Sequence, residues 1–313
     1  MVQQKTGVLV MSYGTPQSLD DVEAYYTHIR RGHAPTAEQL KELTDRYQAI
    51  VGGVFPLREN TDAQVEGLQN RLNELVPDRY ICYQGLKHAA PLIEDGIEQM
   101  AQDGIGQAVG IVLAPHYSVM SVGSYVKRAQ EKATELGIKM KFVQSYHLHP
   151  KLIEALTDRV SDVLEQLAPL QGDKPVKVLF SAHSLPEKIR ELGDPYEHQL
   201  LQTSEAIAEN TEIEDWQFTW QSAGRTHEPW LGPDILDTME QLAQEGYKAI
   251  LSAPIGFVSD HLEVLYDLDI EATAKAEQLG VAFKRIAMLN TDPLYMDTLA
   301  ESVITISAHL GKD

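Results

Sequence analysis

The sequence predicts an α/β protein made of two duplicated domains, each with a four-stranded parallel sheet flanked by helices. Three observations predict it. Eight short apolar runs rich in β-branched residues alternate with longer amphipathic stretches, the alternation that βαβ units produce when helices cover both faces of a sheet. The length of 313 residues is about twice that of a ~150-residue domain. The halves also echo each other in order. Gln99-Met-Ala-Gln-Asp-Gly-Ile before a strand ending Leu113-Ala-Pro115 matches Gln241-Leu-Ala-Gln-Glu-Gly-Tyr before one ending Ser252-Ala-Pro254. Ala133-Thr-Glu-Leu-Gly-Ile138 then matches Ala276-Glu-Gln-Leu-Gly-Val281, and Pro150-Lys-Leu-Ile-Glu-Ala-Leu156 matches Pro293-Leu-Tyr-Met-Asp-Thr-Leu299.

In chain order, the strands of the first half are Thr6–Tyr13, Tyr80–Leu86, Ala108–His116 and Met140–Tyr146. Those of the second are Val176–Ser184, Phe218–Ser222, Ala249–Phe257 and Ala282–Leu289. Between them, Ala89–Gln102, Tyr125–Leu136 and Ile235–Gln244 space their apolar residues as helices do, and Gly after such a stretch marks its stop. The N-terminal Val/Leu run ending in Tyr13-Gly14 reads as a strand rather than a signal peptide. No apolar run reaches the ~18 residues of a membrane-spanning helix.

Composition removes whole classes of function. With 46 acidic and 26 basic residues the net charge is -20, and no Lys/Arg block interrupts it, so a nucleic-acid or anionic-membrane partner is not expected. An anionic ligand must then meet a local cationic patch. One cysteine, Cys82, excludes an internal disulfide, a multi-cysteine zinc site and a protein-held iron–sulfur cluster, and points to the cytoplasm. Ser12-Tyr-Gly-Thr-Pro16 is no G-x-G-x-x-G loop, and a P-loop is absent, so a nucleotide enzyme is unsupported. Ser184 beside His183 lacks the G-x-S-x-G elbow of a serine hydrolase.

Parallel sheets bind ligands at the C-terminal ends of their strands. Those ends read Met11-Ser-Tyr-Gly-Thr-Pro16, Leu86-Lys-His88, Ala114-Pro-His-Tyr-Ser118, Phe180-Ser-Ala-His-Ser-Leu-Pro186 and Pro254 to Glu263. His183 follows an apolar strand directly; there an imidazole takes a proton, ligates Fe2+, or is a buried ring satisfied by loop backbone. Glu263, Asp267 and Glu271 are spaced to stack on one helix face, a repulsive row that is either a solvated surface or a path for cations and protons. Arg30, Arg31 and Arg46 lie beside Tyr25, Tyr26 and Tyr47 on the first long crossover. They form either a carboxylate or phosphate clamp or surface pairs with Asp20, Asp21, Glu23 or Asp45.

His183-Ser-Leu-Pro186, Trp220-Gln-Ser222, Trp230-Leu-Gly-Pro-Asp234 and Gly256-Phe-Val-Ser-Asp-His-Leu-Glu263 resemble ferrochelatase signatures. With Tyr13-Gly-Thr-Pro16, His28-Ile-Arg-Arg-Gly32 and Leu113-Ala-Pro-His-Tyr117 they resemble the soluble coproporphyrin ferrochelatases of Gram-positive bacteria, over about Val8 to Glu271. The resemblance implies two Rossmann-like domains of chelatase fold with a porphyrin cleft between them. Residues 1–145, joined by a C-terminal helix at 290–313, make the first, and 146–289 the second. It implies insertion of Fe2+ into a porphyrin, coproporphyrin III foremost, in heme biosynthesis. It makes His183 and Glu263 the catalytic metal-insertion pair and Tyr13 an axial ligand to the inserted iron. Arg30, Arg46, Tyr47, Phe55 and Tyr125 line the tetrapyrrole site, and Asp267 and Glu271 form a second cation site, for which Mg2+ is the candidate.

No nucleotide or redox cofactor is required; a monomer handing its product to a downstream heme-pathway enzyme is expected. The family reads Gly-Gly-x-Ser-Pro-Leu where this chain has Gly52-Gly-Val-Phe-Pro-Leu57, so Phe55 replaces a serine that helps hold a propionate. It also reads Tyr-Asp-Asn-Asp-aromatic-Glu-Cys where this chain has Tyr266-Asp-Leu-Asp-Ile-Glu-Ala272. The competing readings are a cobalt or nickel chelatase for another tetrapyrrole, which a pair of histidines suits better than His183 with Glu263, and a porphyrin or heme carrier without chemistry.

Overall fold

The computed structural model describes residues 5–51, 55–224 and 226–311 and divides into two compact units. The first comprises Met1–Ala114, Val119–Tyr146 and Asn290–Asp313; the second comprises Pro115–Ser118 and His147–Leu289.

The first unit holds β1 (Thr6–Ser12), β2 (Tyr80–Leu86), β3 (Gln107–Val112) and β4 (Lys139–Phe142) in the order β2-β1-β3-β4, all parallel. Central β1 is buried at every position because helices cover both its faces, which is why it reads as an unbroken apolar run. Burying each of its Val, Leu and Met side chains contributes about 1.5–3 kcal/mol. The long crossover from β1 to β2 carries α1 (Val22–Ile29), α2 (Ala37–Val51) and α3 (Pro56–Leu75). After these, α4 (Ile93–Gln102) and α5 (Val122–Glu135) connect the remaining strands.

The second unit repeats the plan. Its strands β5 (Lys177–His183), β6 (Trp216–Gln221), β7 (Ala249–Ala253) and β8 (Ala282–Arg285) are parallel in the order β6-β5-β7-β8. The same central-strand topology in both units is the structural form of the sequence echoes. Around this sheet run α6 (Pro150–Leu167), α7 (Tyr196–Asn210), α8 (Ile235–Gln244), α9 (Leu262–Leu265) and α10 (Thr273–Leu279). The chain then returns to the first unit as α11 (Pro293–Ser307). Asp292 caps α11 by accepting from the amides of Leu294 and Tyr295. Fully buried Tyr295 and Tyr146 share a hydrogen bond at 3.0 Å, and Tyr146 also donates to the Val112 carbonyl, tying α11 to the end of β3.

The eight expected strands are present, and seven of them end earlier than the apolar pattern does. Met140–Tyr146, Ala249–Phe257 and Ala282–Leu289 continue as loops after Phe142, Ala253 and Arg285. Pro115–Ser118, expected with the first domain, groups with the second. His116 Nε2 lies 2.9 Å from Thr203 Oγ1, the Tyr117 amide donates to Gln199, and Ser118 donates to Asp194. Gly52 and Gly53 lie outside the described residues. Among the described residues no helix is long and apolar enough to cross a membrane.

Candidate functional site

In the second unit, His183 is the last residue of β5 and pairs in register with Gln221 at the end of β6. The Gln221 amide takes a hydrogen bond from Ser181 and donates, at 2.7 Å, to the backbone carbonyl of Glu263. The loop after β7 passes close over β5: a Cβ on Gly256 would lie 2.3 Å from Ala182 Cβ, so only glycine fits. These two constraints bring Glu263, at the start of α9, to His183. Their facing atoms, His183 Nε2 and Glu263 Oε1, are 3.4 Å apart.

The other oxygen, Glu263 Oε2, faces His261 Nε2 at 3.5 Å. Both imidazoles use Nδ1 on backbone oxygens, His183 on Ser184 and His261 on Ser259. As carbonyls only accept, each Nδ1 carries a proton and each Nε2 is left for proton or metal chemistry at the carboxylate. Burial alone would lower the His183 pKa; the charge and hydrogen bond of Glu263, with the Ser184 carbonyl and Asp267, outweigh it and raise it to about 9. Burial likewise opposes ionisation of Glu263, and His183 with His261 overcomes it, holding the carboxyl far below the usual range.

A π-helical turn, Asp267–Ala272, follows α9 and carries the acidic residues after Glu263. Asp267 is buried and accepts from Ser222, whose φ of 59° turns the chain after β6, while Glu271 is exposed. Among the described residues no group of three or more His, Cys, Asp and Glu side chains has the arrangement of a resident metal site. His183 and Glu263 form a pair that can exchange a proton for a passing cation.

In the first unit, β1 and β2 end in register, Ser12 opposite Leu86, and the pairing continues as Lys87 and His88 donate to the carbonyls of Ser12 and Tyr13. Gly14, at φ 86°, then turns the chain away. Tyr13 is thereby stacked on His88 at 4.6 Å and left 42 % exposed, open to a ligand. His88 Nδ1 meets His28 Nδ1 at 3.0 Å. Burial, helped by Lys87, His28 and Arg128, pushes His88 down to about 3, so the ring is neutral near pH 7. Lys87 lies over the Tyr125 ring at 4.9 Å and donates to Ser124; burial and the charges of Arg128 and Arg31 push it down to about 8. Lys87 thus brings a positive charge beside the Tyr13 and Tyr125 rings.

The remaining sequence candidates divide. Arg30 ends α1, over the Tyr26 ring and bonded to the His33 carbonyl, while Asp45, one of its expected partners, pairs with Lys41. Arg46 and Tyr47 lie on α2. Tyr47 and Phe55 are each 5 % exposed and stack at 4.9 Å, and Tyr125 is 4 % exposed. Phe55 thus packs inside the unit instead of offering its face to a ligand, a correction to the sequence expectation. Tyr47 bonds Thr15, and Tyr125 carries Lys87.

His261, Lys87 and His88 fall within the strand-end segments that the sequence singles out, and His28 within a family motif, without an individual role there. Lys87 and His88 carried a signal, since they directly follow a strand beside the one ending at Tyr13.

The ferrochelatase family model matches residues 5–306. A coproporphyrin III ferrochelatase of Anoxybacillus flavithermus is 47 % identical over 316 residues, covering 100 % of this chain and 99 % of that protein. That of Bacillus subtilis is 45 % identical over 307 residues, covering 97 % and 98 %. Among solved structures, the sirohydrochlorin chelatase SirB of Bacillus subtilis subspecies spizizenii, in complex with cobalt, superposes with a TM-score of 0.63 at 9 % identity, covering 99 % and 98 %, a likeness of fold alone. A family match across nearly the whole chain, together with full-length relatives of this identity, establishes that the chain belongs to the ferrochelatase family.

Proposed function

We propose that this protein inserts Fe2+ into coproporphyrin III in heme synthesis. The observation that carries the reading is the facing pair of His183 Nε2 and Glu263 Oε1 at 3.4 Å, on a chain that is 45–47 % identical to coproporphyrin III ferrochelatases. Metallation exchanges one Fe2+ for two pyrrole N–H protons, so the site must release iron from water and accept protons. With Nδ1 fixed on Ser184, His183 has one nitrogen to offer, and an arriving cation displaces its proton. Glu263 is ionised and keeps the cation beside the imidazole. As the metal passes to the macrocycle, the two groups take up the pyrrole protons, and His261 on the second carboxylate oxygen offers their exit.

Tyr13 is the phenol axial to the inserted iron. Arg30, Arg46 and the Lys87 patch meet the propionates. The protein acts as a cytoplasmic monomer, with a downstream heme-pathway enzyme taking its product. No nucleotide or redox cofactor enters this chemistry. The test is anaerobic: purified chain, Fe2+ and excess coproporphyrin III, with absorbance followed over time. Many turnovers per chain support the proposal, and metallation that halts at one equivalent identifies a carrier.

A further inference from the structure

Arg285 closes β8 in register with Ser252 of β7, and the next amide, that of Ile286, donates to the Ser252 carbonyl at 3.0 Å, so the arginine stands on the sheet. Its side chain is 16 % exposed, and each guanidinium nitrogen has a partner. Nε and one terminal nitrogen grip the Asp269 carboxylate as a fork, at 2.6 and 2.8 Å. That terminal nitrogen also reaches Asp260 at 3.0 Å, and the other donates to the Ile286 carbonyl. Asp260 directly precedes His261, whose Nε2 faces Glu263 Oε2 at 3.5 Å, and Asp269 lies in the π-helical turn after α9. One guanidinium therefore ties the chain to β8 both before and after Glu263. Gln221 holds the backbone carbonyl of Glu263 from β6, and Arg285 holds its flanks from the opposite edge of the same sheet.

We propose that Arg285 is a positioning residue for iron insertion, acting through Glu263: its clamp on Asp260 and Asp269 keeps that carboxylate facing His183 Nε2. The proposal rests on the reading of His183 and Glu263 as the metal-insertion pair. A forked arginine–carboxylate contact fixes direction as well as distance, which a lysine ammonium does not. Glu263 is held ionised chiefly by His183 and His261, so the part left to Arg285 is geometric. Geometry matters at this scale, because a shift of about 1 Å at a reacting group costs as much as about 100-fold in rate. Arg30, Arg46 and Lys87, which meet the propionates in this reading, belong to the first unit, so porphyrin affinity does not depend on the clamp.

The test uses the full chain with Arg285→Gln, Arg285→Lys and Asp269→Asn. Each is assayed anaerobically for kcat and KM with coproporphyrin III and, without porphyrin, titrated with Fe2+ by calorimetry. Rates and affinities are taken per folded chain, counted by porphyrin-binding stoichiometry, so a loss of stability alone moves neither. Arg285→Gln is expected to lose about tenfold or more in kcat and in Fe2+ affinity, with the porphyrin KM within about twofold of the parent's. Asp269→Asn, which keeps the arginine and takes the charge from its forked partner, moves both in the same direction by less. Arg285→Lys keeps the charge without the fork and does not recover the parental kcat. Unchanged kcat per folded chain in either Arg285→Gln or Asp269→Asn overturns the proposal, as does full recovery by lysine. A parent that does not turn over contradicts the metal-insertion reading instead, and the Fe2+ titrations then decide whether Arg285 orders the pair.

Discussion

His183 Nε2 and Glu263 Oε1 face each other at 3.4 Å while the imidazole's other nitrogen is fixed on the Ser184 carbonyl. The ring is thereby set up as an imidazolium beside a carboxylate. Its pKa is raised from 6.5 to about 9, so the stability contributed by protonation of His183 is fully present below pH 6.5 and is lost as pH rises through about 9. Proton-detected titration of His183 in the metal-free protein is expected to show a midpoint near 9. In Glu263→Gln the midpoint falls, because burial is then opposed only by the Ser184 carbonyl and Asp267. A midpoint that does not move with this substitution would show that the two groups are uncoupled.

Gly256→Ala tests the close approach that delivers Glu263. The added methyl would sit 2.3 Å from Ala182 Cβ and 2.8 Å from its Cα, so backbone has to move. Overpacking of this kind costs about 1–3 kcal/mol, which corresponds to a fall in Tm of several degrees. Iron insertion is expected to drop with it, since Ala182 precedes His183. A melting curve that overlays the parent's contradicts this packing.

Phe55 marks a place where sequence and structure lead to different experiments. From sequence, a serine-to-phenylalanine replacement reads as a change in propionate grip, so Phe55→Ser would tighten substrate binding. With the ring buried against Tyr47, the expected effect is on stability instead, a loss of about 3–5 kcal/mol in urea unfolding. A variant as stable as the parent that binds coproporphyrin more tightly restores the sequence expectation.

The fold was legible because parallel strands buried on both faces announce themselves as apolar runs, as β1 and β5 do, and because duplication repeats the signal. Strand ends were not: Pro254 and the turn at Gly256 stop β7, yet the apolar pattern runs on to Phe257. His183 and Glu263 were visible through strand-end placement and the family resemblance. The π turn at Asp267–Ala272 was not legible, because four-residue spacing reads as an ordinary α-helix. His261 was hidden for another reason, since its place beside the Glu263 carboxylate shows only in the distance from its Nε2.

Substrate choice follows from the charge of the Lys87 patch and the neighbouring Arg30 and Arg46. A porphyrin with four propionates is expected to give a higher kcat/KM than one with two. Added salt is expected to weaken its binding, because charges on the exposed rim are screened over about 10 Å at 0.1 M. Steady-state kinetics with coproporphyrin and protoporphyrin across an ionic-strength series checks both points, and equal kcat/KM values count against the patch as a propionate site.

The most direct measurement compares the parent with His183→Ala in one anaerobic experiment that reads porphyrin binding by fluorescence quenching and iron insertion by absorbance. The parent is expected to bind coproporphyrin III and turn over many times. His183→Ala keeps the fold and the porphyrin affinity and loses at least tenfold in kcat, about 1.4 kcal/mol of barrier. A variant that inserts iron at close to the parental rate, or a parent that stops after one equivalent, contradicts the account.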